Sequence, residues 1–230
     1  MDISLYCQEK GNGTPFVFLH GNGDSGDYFE KQTEYFSHSF KTVCVDTRGH
    51  GKTARGTAPF TMEQFADDLK LFLESKGLSD IILLGFSDGA NIAMKFALKY
   101  QGKLKALILN GGNLNTKGVK AKIQIPIEIG YRTARLFAKK SPYAKKNTEI
   151  LGLMVNEPNI DPESLKSIIT PTLVIAGTND MIKEKHTRQI AENIPNASLS
   201  ILKGDHFIAS KQADLFNKEV ERFLERNGIN

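Results

Sequence analysis

Only two cysteines, Cys7 and Cys44, occur in the 230 residues, too few for a disulfide scaffold. Cys44 sits in the apolar run Val43-Cys44-Val45 and reads as a small core residue. No apolar run approaches the ~20 residues that a membrane-spanning helix needs. The opening residues, Met1 to Tyr6, combine neither a basic start nor an apolar stretch, so no signal peptide is expected and a cytoplasmic location is the default. Charge of one sign is scarce as well. Thirty Lys and Arg against 26 Asp and Glu leave a formal net charge of +4, short of the concentrated basic face of a nucleic-acid binder. What is present is ordinary for a folded chain: 40% hydrophobic and 24% charged residues argue against disorder. The length suits one domain, residues 1–230, with a sizeable core.

Short apolar runs alternate with longer segments of helical period. The runs are Phe16 to Leu19, Val43 to Val45, Ile81 to Leu84, Ala106 to Leu109 and Leu173 to Ala176. They are continuous in hydrophobicity, as parallel strands covered on both faces should be. A weaker strand is expected over Ser198 to Leu202, and the alternation from Ile3 to Gln8 suits an edge strand. Helices are expected from Thr61, with Gln64 completing a possible capping box and Gly77 as a stop, over Asp88 to Tyr100, over Lys183 to Ile194 and over Ala209 to Leu224. This alternation predicts an α/β fold with a mostly parallel central sheet flanked by helices. The pattern breaks between about Gly112 and Thr170. That stretch is too long for a simple loop and reads as an insertion, at about 113–168, over the sheet's C-terminal edge. Part of it, Ile123 to Lys140, is amphipathic. Between Asn113 and Ile150 it carries nine Lys and Arg against Glu128 and Glu149. The surplus reads as a solvated face, or else as an attraction for anionic substrates or a membrane surface.

The strongest local signal is Gly85-Phe86-Ser87-Asp88-Gly89, between an expected strand and an expected helix. A serine on so sharp a turn needs small neighbours two positions before and after it, and the helix N-terminus behind it favours developing negative charge. Serine is a weak nucleophile without a base. Among five histidines, His206 follows the last expected strand and is the best candidate. His20 and His50 sit in glycine-rich turns, His38 in a polar loop, and His186 in a helix with an exposed side chain expected. Asp180, just after the Leu173–Ala176 strand, is the expected carboxylate partner; Asp205 adjoins His206 and should point away. A tetrahedral intermediate also needs backbone donors. The N–H of Asp88 and the N–H of Asn22, in His20-Gly21-Asn22-Gly23, are the candidates.

Taken in order along the chain, these segments resemble the α/β-hydrolase superfamily over nearly the whole length. Asp46-Thr47-Arg48-Gly49-His50-Gly51 is similar to that family's D-x-R-G-x-G segment, with Lys52-Thr53 replacing the serine often found next. Gly177 to Asp180 and Gly204 to His206 resemble its acid and histidine loops. The resemblance implies an α/β-hydrolase fold whose 113–168 insertion is a helical cap. It also implies a serine hydrolase with Ser87, Asp180 and His206 as catalytic residues. A small-molecule carboxylic ester is the expected substrate, with a carbon–carbon bond hydrolase or a slow-turnover ligand receptor as alternatives. No cofactor, metal or nucleic-acid partner is expected, a membrane surface ranks last among the readings, and the oligomeric state is not readable. Asp88 carries two readings, a first-turn helix acid or a partner for a cationic group on the acyl side, as in superfamily members that hydrolyse amino-acid esters.

Overall fold

Each continuous apolar run becomes a strand because its side chains find cover on both sides of the sheet. The computed structural model describes residues 2–230. In chain order the strands are β1 (Cys7–Lys10), β2 (Pro15–Leu19), β3 (Lys41–Val45), β4 (Ile81–Phe86), β5 (Leu104–Asn110), β6 (Thr172–Asn179) and β7 (Ala197–Asp205). The helices are α1 (Glu30–Phe36), α2 (Met62–Ser75), α3 (Asp88–Tyr100), α4 (Ala121–Phe137), α5 (Pro142–Asn156), α6 (Glu184–Asn193), α7 (Ile208–Lys211) and α8 (Ala213–Arg226). Sheet order is β1-β3-β2-β4-β5-β6-β7. Every neighbouring pair is parallel except β1 with β3.

Alternation along the strands divides the core into two layers. Val17, Leu19, Leu83, Leu107 and Leu109 join the layer that contains Phe65, Leu69, Ile92 and Phe96 of α2 and α3. Phe16, Phe18, Ile82, Leu84 and Ile108 join the other, with Phe36 of α1 and Phe216 and Phe223 of α8. At roughly 25 cal/mol per Å² of apolar area removed from water, these two layers hold the sheet rigid beneath the loops at its C-terminal edge.

Local signals account for most boundaries. Thr61 caps α2 by accepting from the Gln64 N–H, and Gly77, at φ 64°, follows the helix end. Two boundaries differ from expectation. The first strand is Cys7–Lys10 and not Ile3 to Gln8. The Tyr6 N–H donates to Thr53 Oγ1 at 2.9 Å, and Asp2 is held by Arg48, so this stretch is anchored by side chains outside the sheet. The last helical segment is divided at Gln212, whose φ of −124° and ψ of 45° interrupt the helix between α7 and α8.

Between β5 and β6 lie α4, α5 and a 3-10 turn over Pro162–Ser167. Asn22 Nδ2 donates to the Ile150 carbonyl of α5 at 2.8 Å, and Arg55 pairs with Glu149 at 2.7 Å. The D-x-R-G-x-G segment is built as structure. Arg48 is fully buried, with Nε and Nη2 on the two carboxylate oxygens of Asp68 at 2.7 and 2.8 Å. Asp46 accepts from the N–H groups of Gly26 and Lys52.

Candidate active site

β4 ends at Phe86 and α3 begins at Asp88, so the whole strand-to-helix reversal falls on Ser87. Its φ of 54° and ψ of −119° lie where a residue with a Cβ is strained by about 1–3 kcal/mol. Two glycines give the reversal room. A Cβ on Gly85 would collide with the Gly89 carbonyl and come within 2.5 Å of the Ala90 nitrogen; one on Gly89 would collide with the Leu19 carbonyl. The Ser87 N–H donates to the Asn110 carbonyl at 2.8 Å, which pins the turn to β5.

Asp180 leaves the end of β6 and His206 leaves the end of β7, and both side chains are buried. His206 Nδ1 lies 2.7 Å from Asp180 Oδ1, and its Nε2 lies 3.0 Å from Ser87 Oγ. A carboxylate only accepts, so Nδ1 carries the proton and Nε2 accepts from the serine hydroxyl. Asp180 Oδ1 also accepts from the Ile182 N–H at 2.9 Å, which fixes the carboxylate. Gly111, at φ 65°, lets the imidazole lie close: a Cβ there would stand 2.8 Å from His206 Cε1. The structure thus joins Ser87, His206 and Asp180 in one hydrogen-bonded chain.

Of the other two residues singled out in the sequence, Asp88 follows Ser87 directly, and Asn22 follows Gly21, which lies against Ser87. Among the described residues the amides of Asn22 and Asp88 have no protein acceptor. Asp205 turns outward to pair with Lys211 at 2.5 Å. His20 and His50 are buried in the turns below, and burial lowers the pKa of both, that of His50 to about 4. His20 Nε2 accepts from the Thr47 N–H, so it ties two loops together. His186 is buried, contrary to the exposure expected for it: the 113–119 segment folds over α6, and the Leu114 N–H donates to His186 Nε2 at 2.8 Å. Burial pushes the Cys44 thiol up to about 11, which removes it as a competing nucleophile near neutral pH.

Beside Ser87 opens a narrow cleft lined by Asp88, Asn113, Gln124, Met154, Glu157 and Met181, among others. It is rich in acceptors. Asp88 Oδ1 takes a long hydrogen bond from Asn91 Nδ2, at 3.3 Å, while Oδ2 is buried with no partner among the described residues. Burial, and secondly the charge of Glu157, push the Asp88 carboxyl up to about 7. Glu157 is raised too, mainly by burial, while its Oε2 accepts from the Met62 N–H at 2.9 Å. Gln124 Oε1 is a further buried acceptor without a partner among the described residues. Sequence reasoning missed Gln124 and Glu157. The first is one polar residue in an amphipathic helix and the second lies just past the end of another, and neither belongs to a motif.

Known proteins give the wider setting. The family model described as alpha/beta hydrolase fold matches residues 14–126. A Caulobacter sp. protein named putative carbamate hydrolase RutD is 29% identical, over 90% of this chain and 89% of its own. A non-heme chloroperoxidase of Kitasatospora aureofaciens is 25% identical, over 97% of both chains. Among solved structures, the enol-lactonase of Burkholderia xenovorans superposes with a TM-score of 0.82 at 20% identity, covering 97% of both chains. The strand order, the strained serine between β4 and α3 and these matches agree: the chain belongs to the α/β-hydrolase superfamily.

Proposed function

We propose that this hydrolase cleaves a carboxylic ester of a small molecule through an acyl-enzyme formed on Ser87. The observation that carries the reading is the unbroken chain from Ser87 Oγ through His206 to Asp180, at 3.0 and 2.7 Å. Ser87 Oγ attacks the ester carbonyl carbon as His206 Nε2 takes its proton. Asp180 holds the Nδ1–H tautomer and stabilises the imidazolium. The carbonyl oxygen, now an oxyanion, accepts from the Asn22 and Asp88 N–H groups. Collapse breaks the bond to the leaving alkoxide, which receives the proton from His206. Water then gives a proton to His206 and attacks the acyl carbon, releasing a carboxylic acid and returning the proton to Ser87. The helices between β5 and β6 act as a cap over this site. The cleft beside Ser87 is narrow, closed in by Met154, Met181 and Gln124, which favours a short acyl group.

A second reading has its own support. The buried acceptors of Asp88 and Gln124 lack donors, so an acyl group carrying N–H would satisfy them. The carbamoyl group is small enough and has two such hydrogens, in keeping with the name of the Caulobacter relative. The test is steady-state hydrolysis of p-nitrophenyl acetate, butyrate, octanoate and N-unsubstituted carbamate, with Ser87→Ala as control. Sustained turnover that falls with acyl length and disappears in the variant is expected. Preference for the carbamate would favour the second reading. A single burst without turnover would point to a slow ligand receptor, and failure on every ester to carbon–carbon bond hydrolysis; either would overturn the ester reading.

A further inference from the structure

Nine large apolar side chains are exposed among the described residues, and five of them fall between residues 125 and 143. Ile125, Ile129 and Leu136 recur at i, i+4 and i+11 on α4 and so share one helical face. Leu136, Phe137 and Tyr143 are 78%, 55% and 75% exposed and crowd the turn where α4 passes into α5. A protein with no partner for such a patch normally scatters these side chains. Cations surround the same turn: Arg135, Lys139, Lys140, Lys145 and Lys146, each exposed. None of the five pairs with a carboxylate among the described residues, and the nearest acid along α5, Glu149, is already taken by Arg55.

An apolar wedge inside a ring of unpaired cations has a specific complement. Hydrocarbon at the headgroup boundary accepts Leu136, Phe137 and Tyr143, and lipid phosphates accept the lysines and arginine. An acidic protein surface would answer the charges and leave the wedge in water. We propose that the tip of the α4–α5 hairpin docks on an anionic phospholipid bilayer. The association is peripheral, since no helix among the described residues is long and apolar enough to cross a membrane. It takes up the membrane-surface reading of the basic segment, which the sequence ranks last. Only the charge surplus is visible there, and the apolar tip emerges once the helix faces are known.

Co-sedimentation of the whole chain with vesicles tests this. Pelleting is expected with mixed phosphatidylcholine–phosphatidylglycerol vesicles and not with pure phosphatidylcholine, and it should fade as salt rises from about 0.1 M to about 1 M. Each cation near the surface strengthens partitioning roughly fivefold, so Lys139→Glu with Lys140→Glu should weaken it by at least about 25-fold. Leu136→Ser, Phe137→Ser and Tyr143→Ser together should lower it about tenfold or more. All five positions are exposed, so the circular dichroism spectrum and unfolding midpoint should not move. Undiminished binding by the serine triple variant would overturn the proposal, because charge alone would then suffice. Retention on a polyglutamate column without vesicle binding would also overturn it and make the partner an acidic protein surface; so would binding to neither.

Discussion

Replacing Asp88 by asparagine keeps the side-chain shape and removes a charge that the fold resists. The carboxyl moves from 3.8 to about 7 on folding because it is buried beside Glu157. Between about pH 4 and pH 7 the folded chain therefore binds more protons than the unfolded chain, and stability falls as pH rises through that window. At about 1.4 kcal/mol per pKa unit the full cost is about 4 kcal/mol above pH 7, of which about 2 to 3 kcal/mol accrues between pH 5 and pH 8. The Asp88→Asn side chain has no ionisation to suppress and escapes this cost. Its amide N–H, placed where Oδ2 now lies unpartnered, carries a desolvation cost of about 1–3 kcal/mol, but one that is independent of pH. The stability difference between Asp88→Asn and the parent should thus shift in the variant's favour by about 2 to 3 kcal/mol from pH 5 to pH 8. Urea unfolding of both proteins at the two pH values measures it. A difference that stays constant, or moves the other way, would refute the account of Asp88 as a carboxyl whose ionisation the fold opposes.

Three further outcomes follow from the same geometry. Asp180→Asn should lower kcat by roughly three to four orders of magnitude with little change in KM, because the imidazole would settle in the wrong tautomer; steady-state kinetics would expose an unimpaired variant. Asp68→Ala removes the buried one of the two carboxylates that pair with Arg48 and leaves it only Asp2, so it should cost about 1–3 kcal/mol in urea unfolding. Gly89→Ala drives a methyl into the Leu19 carbonyl, so it should destabilise by more than about 1 kcal/mol and disturb the turn at Ser87. A variant with the parent's unfolding midpoint and turnover would contradict that packing.

The sheet was readable because parallel strands buried on both faces leave continuous apolar runs, as in Phe16 to Leu19 and Ile81 to Leu84. The serine turn was readable because sterics restrict positions 85 and 89 to very small residues. Asp180 and His206 could be chosen over rival residues because each directly follows a strand that ends at the same edge. The segment between β5 and β6 was opaque for the opposite reason. Pro126 and Gly130 interrupt the helical signal inside α4, and its outer face is apolar where solvent should favour polar residues. Burial of His186 depends on how a distant segment folds over α6, and local periodicity carries no trace of that.

The hydrogen bond from Asn22 to the hairpin has a thermodynamic consequence. In the mechanism proposed above Asn22 offers its backbone N–H to the reacting carbonyl, while its side chain donates to the Ile150 carbonyl of α5. A single residue therefore belongs to two equilibria, the posture of the hairpin and the readiness of the amide, and linkage requires each to bias the other equally. A ligand that presses an oxygen onto that amide should tighten the hairpin, and a surface that draws the hairpin away should slacken the amide by the same free energy. Substrate and bilayer would then communicate through one side chain.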